Sequence, residues 1–376
     1  MTWNIPLFKM YWDQNDLNAI TTTLSSGMNW AVGSEVTHFE HDLSENIGTK
    51  YCLTFNSGTS ALHASLLAYE VGKSDEVIVP SFTFIATANA PLFVGAKPVF
   101  ADIEEKTLGL SPESVLEHIT PKTKAIIPVH YGGCPCMIHE LREIADDHNL
   151  ILIEDAAESF GAKIKGVKVG TFGDSAMLSF CQNKIITTGE GGAIVTDSRK
   201  LYEKMKLIRS HGRLETSDYF SSQEPMDYIT LGYNFRLSNI AASLGLTQLQ
   251  KVDTMIQMRK KIAEKYVTLL KKYAPKASPM LSPYGYDHVY QLFSVRLLDR
   301  NRLMEFLTSK GIMSKIYFPP VHLTHYYKKK LGYEISLPIT ETVAENIVSL
   351  PIYPGMSDED LRTVVEAVGE FYQENQ

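Results

Sequence analysis

The sequence has little positive charge and no long apolar runs, and each shortage excludes a class of protein. Its 376 residues include 36 lysines and arginines against 43 aspartates and glutamates, a formal net charge of −7, so no general basic field attracts nucleic acid. No apolar run approaches the roughly 18 residues that a membrane-spanning helix needs. The segment 1–6 lacks the basic and apolar regions of a signal peptide. We therefore expect a cytoplasmic protein with neither nucleic acid nor membrane as a partner.

Cysteine is also scarce, and the cysteines form no binding pattern. Their spacing fits neither a disulfide framework nor a standard zinc site, and two cysteines around one proline match no usual redox or metal motif. Reduced thiols and no metal are expected. The cysteines are Cys52, Cys134, Cys136 and Cys181.

What the sequence does contain is a regular alternation of strand-like and helix-like segments. Such β-α-β alternation implies a parallel sheet with helices on both faces. We predict an α/β fold with a large domain at residues 1–250 and a smaller C-terminal α/β domain at 251–376. The predicted strands are 76–80, 98–101, 124–129, 151–153, 290–297 and 313–318, and the predicted helices are 85–94, 138–148, 250–273, 300–310 and a last one capped by Ser357.

One lysine, Lys184, stands between an apolar strand-like run and the glycine-rich turn at 189–192. A lysine amine attacks carbonyl carbons when its site fixes it and shifts its pKa, and pyridoxal phosphate is the cofactor that most often uses this chemistry. The alternative is a solvated surface lysine, which is how most lysines occur. The choice therefore depends on the surrounding segments.

Small and hydroxyl-bearing residues precede a run of good helix formers at 61–68. Gly58 would let the backbone approach an anion, and Thr59 and Ser60 would add hydroxyl donors at the helix N-terminus, where the dipole favours negative charge. This pattern predicts a phosphate site. An ordinary N-capped helix is the alternative, because Ser and Thr favour that position too.

The buried-type strand at 151–153 runs into two acids, Glu154 and Asp155. Ligands of open parallel sheets lie beyond the carboxyl ends of the strands, so Asp155 can pair with a protonated pyridine nitrogen. Phe82 and Phe84 lie in another segment that could place an aromatic ring against a cofactor, although both would by default be core residues. Polar residues that simply leave the sheet are the alternative for the acids.

Together these segments resemble the DegT/DnrJ/EryC/StrS group of sugar aminotransferases, within the aspartate aminotransferase-like fold. The resemblance spans nearly the whole chain. The segments that carry it are 5–6, 39–40, 57–62, 154–157, 187–192, 232–236 and 349–354.

The resemblance implies a role for each matching residue. Lys184 would form the Schiff base with pyridoxal 5′-phosphate, which becomes pyridoxamine 5′-phosphate in the half-reaction, and Asp155 would pair with the ring nitrogen. The remaining cofactor contacts that it implies are Gly58, Thr59, Ser60 and Ser179 at the phosphate, Phe84 stacked on the ring, Glu158 near the ring hydroxyl, and Asn234 reaching the phosphate from a neighbouring subunit. The enzyme should therefore be a homodimer with a shared active site.

The resemblance also implies the reaction, which is transfer of an amino group from an amino acid, most often L-glutamate, to a nucleotide-linked keto sugar in amino-sugar or polysaccharide biosynthesis. A 4-keto-6-deoxy sugar is the more frequent substrate in the family, and a 3-keto sugar is the alternative. Members with histidine at the lysine position are dehydratases, but this chain has Lys184. Residues matching the family's active cleft, and hence candidate substrate contacts, are Asn29, Arg236, Tyr317 and His322, although a structural role is an equal alternative for His322.

Two positions depart from the usual family pattern and concern the substrate rather than the reaction. Position 158 is more often glutamine or histidine, and Cys181 stands where other members often have an aromatic residue or histidine.

Two functions from other classes are alternatives to an aminotransferase. A nicotinamide oxidoreductase would need a Gly-x-Gly-x-x-Gly turn before a helix, which is missing. A non-catalytic regulatory protein on the same fold remains an alternative, although such a protein should lack the lysine or the aspartate.

Overall fold

The fold is seen in a computed structural model that describes residues 3–214 and 226–374. The helices of this part are α1 (Gln14–Ser25), α2 (Ser34–Ile47), α3 (Gly58–Ala68), α4 (Ile85–Phe93), α5 (Pro112–His118), α6 (Ile138–Asp147), α7 (Arg199–Arg209), α8 (Asn239–Gln250), α9 (Val252–Tyr273), α10 (Arg300–Ser309), α11 (Pro338–Asn346) and α12 (Asp358–Glu374). No helix among the described residues is both long enough and apolar enough to cross a membrane.

The strands form one large sheet and two small ones. They are β1 (Tyr51–Phe55), β2 (Glu76–Pro80), β3 (Lys97–Ala101), β4 (Thr123–Ile126), β5 (Ile151–Asp155), β6 (Lys163–Ile164), β7 (Val167–Lys168), β8 (Ser175–Ser179), β9 (Gly192–Thr196), β10 (Ser278–Pro279), β11 (Tyr286–Asp287), β12 (Phe293–Arg296) and β13 (Ile347–Leu350).

The large sheet has seven strands in the order β1-β9-β8-β5-β4-β2-β3. Strand β9 runs antiparallel to both of its neighbours, and the remaining pairs are parallel. Strands β1, β8, β5, β4, β2 and β3 therefore all point the same way. This confirms the predicted α/β fold with a mostly parallel sheet, and it brings the carboxyl ends of these strands to one edge.

The sheet is buried because its strands are apolar on both faces. The central strand β5 has Leu152 and Ile153 fully buried, and β9 is buried along its whole length. Continuous apolar strands of this kind are typical of parallel sheets covered by helices on both sides. The rigid centre of the molecule thus lies directly beneath the edge where the strands end.

A second apolar core surrounds the three-stranded sheet β10-β12-β13. Helix α12 packs on it as predicted, because Ser357 Oγ accepts a hydrogen bond from Asp360 N at 3.0 Å and Leu361, Val364 and Val368 are buried. Helix α8 ends at Gln250 and α9 begins at Val252, close to the predicted division at residue 250. The division into two domains itself stays a prediction.

Three predicted strands differ from the structure, and the first is the one predicted at 124–129, because β4 covers only Thr123–Ile126. Strand β12 covers only Phe293–Arg296, and the predicted strand at 313–318 is wrong, because this segment makes a single bridge between Lys315 and Ser349. The chain then leaves the sheet edge, and the hydroxyl of Tyr131 donates to the carbonyl of Tyr317. Three residues of this segment, Lys315, Tyr317 and Phe318, line a cleft.

Candidate active site

A cleft of about 480 Å³ lies where the parallel strands end. The residues that follow β1, β2, β5 and β8 supply one wall, and the segment after Lys315 supplies the other. The volume is in the range of ordinary small-molecule sites. The cleft therefore has the position expected of the active site in a parallel α/β fold.

Lys184 is held in this cleft by the loop between β8 and β9. The loop is closed by backbone hydrogen bonds from Phe180 to Gly191 (2.9 Å) and from Thr188 to Phe180 (3.0 Å). The Lys184 side chain is only 14% exposed, and its Nζ lies 3.4 Å from Glu158 Oε1. An amine fixed in this way is not a solvated surface lysine, so the structure favours the functional interpretation of Lys184.

Glu158 is itself fixed before any ligand enters. Its Oε2 accepts a hydrogen bond from the backbone N–H of Gly132 at 2.9 Å, and the residue is 5% exposed. One oxygen is thus occupied by the backbone and the other faces Lys184. The carboxylate therefore helps to hold the Lys184 amine in place inside the cleft.

Asp155 ends β5 and is buried at the base of the cleft. Its Oδ2 accepts a hydrogen bond from Thr87 Oγ1 at 2.7 Å, and its Oδ1 accepts one from Ala157 N at 3.1 Å. Burial raises the pKa of Asp155, although both hydrogen bonds and the charge of Lys184 oppose the rise. A cationic ring nitrogen placed here would meet a carboxylate with little access to water, where an ion pair is strong.

Helix α3 opens onto the cleft with the small residues that an anion requires. Ser57 caps it, with Ser57 Oγ accepting from Ser60 N at 3.1 Å. A Cβ at Gly58 would lie 2.8 Å from Met177 Sδ, so no larger residue fits without a shift. Gly58 and Thr59 line the cleft at the positive end of the helix dipole.

These features fit pyridoxal phosphate. The start of α3 suits the phosphate, Asp155 suits the ring nitrogen and Lys184 suits the carbonyl carbon, and all three line one cleft. Phe84 also lines the cleft and is 58% exposed, which is unusual for phenylalanine. An aromatic ring left open in this position has a free face against which a flat ligand can pack.

The structure brings together most of the predicted cofactor residues. The substrate candidate Tyr317 also lines the cleft. The cofactor candidates that line it are Gly58, Thr59, Phe84, Asp155, Glu158, Ser179 and Lys184. Ser60 is not among the residues of the cleft wall, and its Oγ lies 2.9 Å from Ser57 Oγ. Asn29, Asn234 and Arg236 are outside the cleft wall formed by the described residues of their own chain.

For His322 the structure favours one of the two roles that the sequence left open. It is 1% exposed and absent from the cleft wall. Its Nδ1 lies 2.6 Å from Ser81 Oγ and its Nε2 lies 3.3 Å from Glu341 Oε1. Both ring nitrogens thus have partners in the protein, and burial lowers the pKa of this histidine. The geometry gives His322 a structural role behind the wall and does not support the predicted substrate contact.

Sequence reasoning missed several residues of the cleft. Thr87 donates to Asp155, and Thr83 Oγ1 lies 2.9 Å from Thr87 Oγ1, which makes a buried chain of hydroxyls. The available signal was the spacing of these threonines, four residues apart across the start of α4. Glu190 and Lys315 also line the cleft, but nothing in their local sequence marks them.

Comparison with known proteins gives a consistent result. The sequence profile of the DegT/DnrJ/EryC1/StrS aminotransferase family matches residues 11–369. A GDP-perosamine synthase of Vibrio cholerae is 34% identical over 98% of this chain and 99% of its own. The solved structure of DesV from S. venezuelae, in complex with a ketimine intermediate, has a TM-score of 0.89 at 33% identity and covers 98% of this chain and 99% of its own.

A further solved structure is similar in fold and carries the cofactor expected here. The PLP-form of a putative sugar aminotransferase, Spr1654 from Streptococcus pneumoniae, has a TM-score of 0.91 at 26% identity. It covers 100% of this chain and 99% of its own. The fold and the cleft therefore point in the same direction as the sequence profile.

Proposed function

Because the chain belongs to the DegT/DnrJ/EryC1/StrS aminotransferase family, and is thus a pyridoxal phosphate-dependent aminotransferase, we propose that it transfers an amino group from L-glutamate to a nucleotide-linked 4-keto-6-deoxy sugar. The observation that carries this proposal is the shared cleft of Lys184, Asp155 and the start of α3. A 3-keto sugar is the second candidate. A non-catalytic role is disfavoured because both Lys184 and Asp155 face the cleft.

The names of the relatives support a nucleotide-linked sugar as the acceptor. One relative is called a GDP-perosamine synthase, and another, from Bacillus subtilis, is called a spore coat polysaccharide biosynthesis protein. Amino-sugar or polysaccharide biosynthesis is the role we propose for this chain. Its cysteines are all free, which is typical of proteins in a reducing compartment such as the cytoplasm.

The residues of the cleft divide the reaction among them. Bound pyridoxal phosphate supplies a carbon that accepts the amino group and a ring that accepts electrons. Lys184 Nζ, 3.4 Å from Glu158 Oε1, takes the proton from the donor carbon and later delivers one to the acceptor carbon. Asp155 holds a proton on the ring nitrogen through a charge-assisted hydrogen bond. Phe84 keeps water from one face of the site.

We also propose that two copies of the chain share their active sites. Asn234 is exposed and outside the cleft of its own chain, while its carbonyl accepts a hydrogen bond from Asn56 Nδ2 at 3.3 Å. Large apolar side chains are exposed nearby in sequence, namely Ile229 at 52% and Leu231 at 78%. Exposed apolar residues beside a polar group are typical of an interaction site. Asn234 would thus act in the cleft of the neighbouring subunit.

The test is the visible absorption spectrum of the purified protein before and after L-glutamate. We expect a band of the bound cofactor that L-glutamate removes and that one member of a panel of 3-keto and 4-keto nucleotide sugars restores. Turnover of Lys184→Ala should be about 10²- to 10⁴-fold lower than that of wild type, since the proton transfers of Lys184 are general acid-base steps. Retention of more than about a tenth of wild-type turnover would contradict the role of Lys184.

A further inference from the structure

The cleft is lined by more carboxylates than cations. Among the described lining residues the carboxylates are Asp155, Glu158 and Glu190, and the cations are Lys184 and Lys315. Lys184 pairs with Glu158 and takes part in the reaction. The proposed acceptor brings a diphosphate into a cleft with more carboxylates than cations. Lys315 is then the cation left to meet it.

The backbone of Lys315 is hydrogen-bonded, whereas its ammonium group has no carboxylate partner among the described residues. Its N–H donates to Ser349 O at 3.2 Å, and its carbonyl accepts from Ser349 N at 2.9 Å. No carboxylate of the described residues lies within ion-pair distance of its Nζ. The Nζ lies 4.9 Å from the centre of the Tyr317 ring. A fixed backbone with an uncompensated ammonium suits an anion that arrives with a ligand.

Tyr317 connects Lys315 to the reaction centre. Burial raises the pKa of Tyr317, and the charge of Glu158 raises it further. Lys315, Tyr317 and Lys184 line the same cleft. In a nucleotide-linked keto sugar the sugar ring joins the reacting ketone to the diphosphate, so both groups can lie in that cleft together.

We propose that Lys315 binds the diphosphate of the nucleotide-linked keto sugar while the ketone faces Lys184. This inference rests on the proposed function and adds a subsite to it. L-glutamate is the other anion in the reaction, and its carboxylates are the competing partner for Lys315. The two half-reactions use these anions separately, so they can be measured separately.

The experiment compares Lys315→Gln with Lys315→Arg and with a matched control. Lys276 also places its ammonium over an aromatic ring, 5.4 Å from the centre of Tyr372, but it lies outside the cleft. Each protein is converted to its pyridoxamine phosphate form and titrated calorimetrically with UDP, GDP and dTDP. The rate of the L-glutamate half-reaction is measured on the pyridoxal phosphate form.

We expect Lys315→Gln to weaken binding of the preferred nucleoside diphosphate about 10-fold at low salt, as for a charge-assisted hydrogen bond at a partly exposed site. Lys315→Arg should restore most of the affinity, and Lys276→Gln should behave like wild type. The L-glutamate half-reaction should keep its rate in all variants. The difference in affinity between Lys315→Gln and wild type should become smaller as salt is added.

Several results would overturn the inference. They are equal affinities in Lys315→Gln and wild type, a defect confined to the L-glutamate half-reaction, or failure of all the diphosphates to bind the wild type. Failure of the proposed function looks different. In that case the wild-type protein would not react with L-glutamate, or no keto sugar would restore its cofactor band.

Discussion

Removing the hydroxyl of Thr87 tests whether its hydrogen bond keeps Asp155 able to pair with the ring nitrogen of the cofactor. Thr87 Oγ1 donates to Asp155 Oδ2 at 2.7 Å, and both residues are buried. Thr87→Val keeps the shape of the side chain and removes the donor. The variant leaves Asp155 with one hydrogen bond, from Ala157 N. The ionised form of Asp155 should therefore become less favourable.

The size of the effect follows from the kind of bond lost. A hydrogen bond to a charged group contributes about 1.5–3 kcal/mol. Burial already raises the pKa of Asp155, and the bond from Thr87 is the largest influence that opposes this rise. Its loss should raise the pKa further and weaken the pairing with the ring nitrogen. We expect the L-glutamate half-reaction to slow about 10- to 100-fold.

The assay is stopped-flow absorbance of the L-glutamate half-reaction between pH 5 and 9, with cofactor affinity measured on the cofactor-free protein. Thr87→Ser, which keeps the hydroxyl, should recover most of the rate. Thr340→Val is the matched control, because Thr340 Oγ1 donates to Asp102 Oδ1 at the same 2.7 Å outside the cleft. A Thr87→Val enzyme with the wild-type rate and pH profile would refute the reasoning.

Two further predictions concern Asp155 and the dimer. Because burial raises the pKa of Asp155, its contribution to stability is present at low pH and is lost as pH rises through that raised pKa. The melting temperature of cofactor-free Asp155→Asn minus that of cofactor-free wild type should therefore increase from acid to neutral pH. A difference in melting temperature that does not change with pH would contradict this. For the shared site, Lys184→Ala and Asn234→Ala should each be poorly active. If the subunits exchange, an equal mixture should regain up to about a quarter of wild-type activity, because hybrid dimers contain one intact site. No recovery after proven subunit exchange would count against the shared site.

Several parts of the site that the sequence predicted lie at the ends of regular structure. Asp155 was predictable because an apolar strand ends at it and ligands lie beyond such ends. Gly58 and Thr59 were predictable because the start of a helix binds anions. In these cases the position relative to one strand or helix is enough, and no long-range contact has to be known.

The parts that the sequence did not predict depend on contacts between distant segments. Thr87 reaches Asp155 across 68 positions of the chain, and Lys315 reaches the cleft because Ser349 holds its backbone. For His322 the sequence left a substrate contact and a structural role equally open, and its partners Ser81 and Glu341, which lie in other segments of the chain, favour the structural role. The strand predicted at 313–318 is not formed. Tyr317 and Phe318 line the cleft, and the pattern of apolar residues alone does not distinguish such a segment from a strand.

This difference explains why the reaction is easier to infer than the substrate. The groups proposed to act on the cofactor lie at the end of β5, at the start of α3 and in the loop between β8 and β9, all next to one buried sheet. The groups available to an acceptor, Lys315 and Tyr317, belong to an irregular segment held by few hydrogen bonds, those of Lys315 with Ser349 and of Tyr317 with Tyr131. Loop positions of this kind can change without disturbing the sheet. The choice of sugar should therefore depend on the segment around Lys315, and the amino-transfer chemistry on the strand ends.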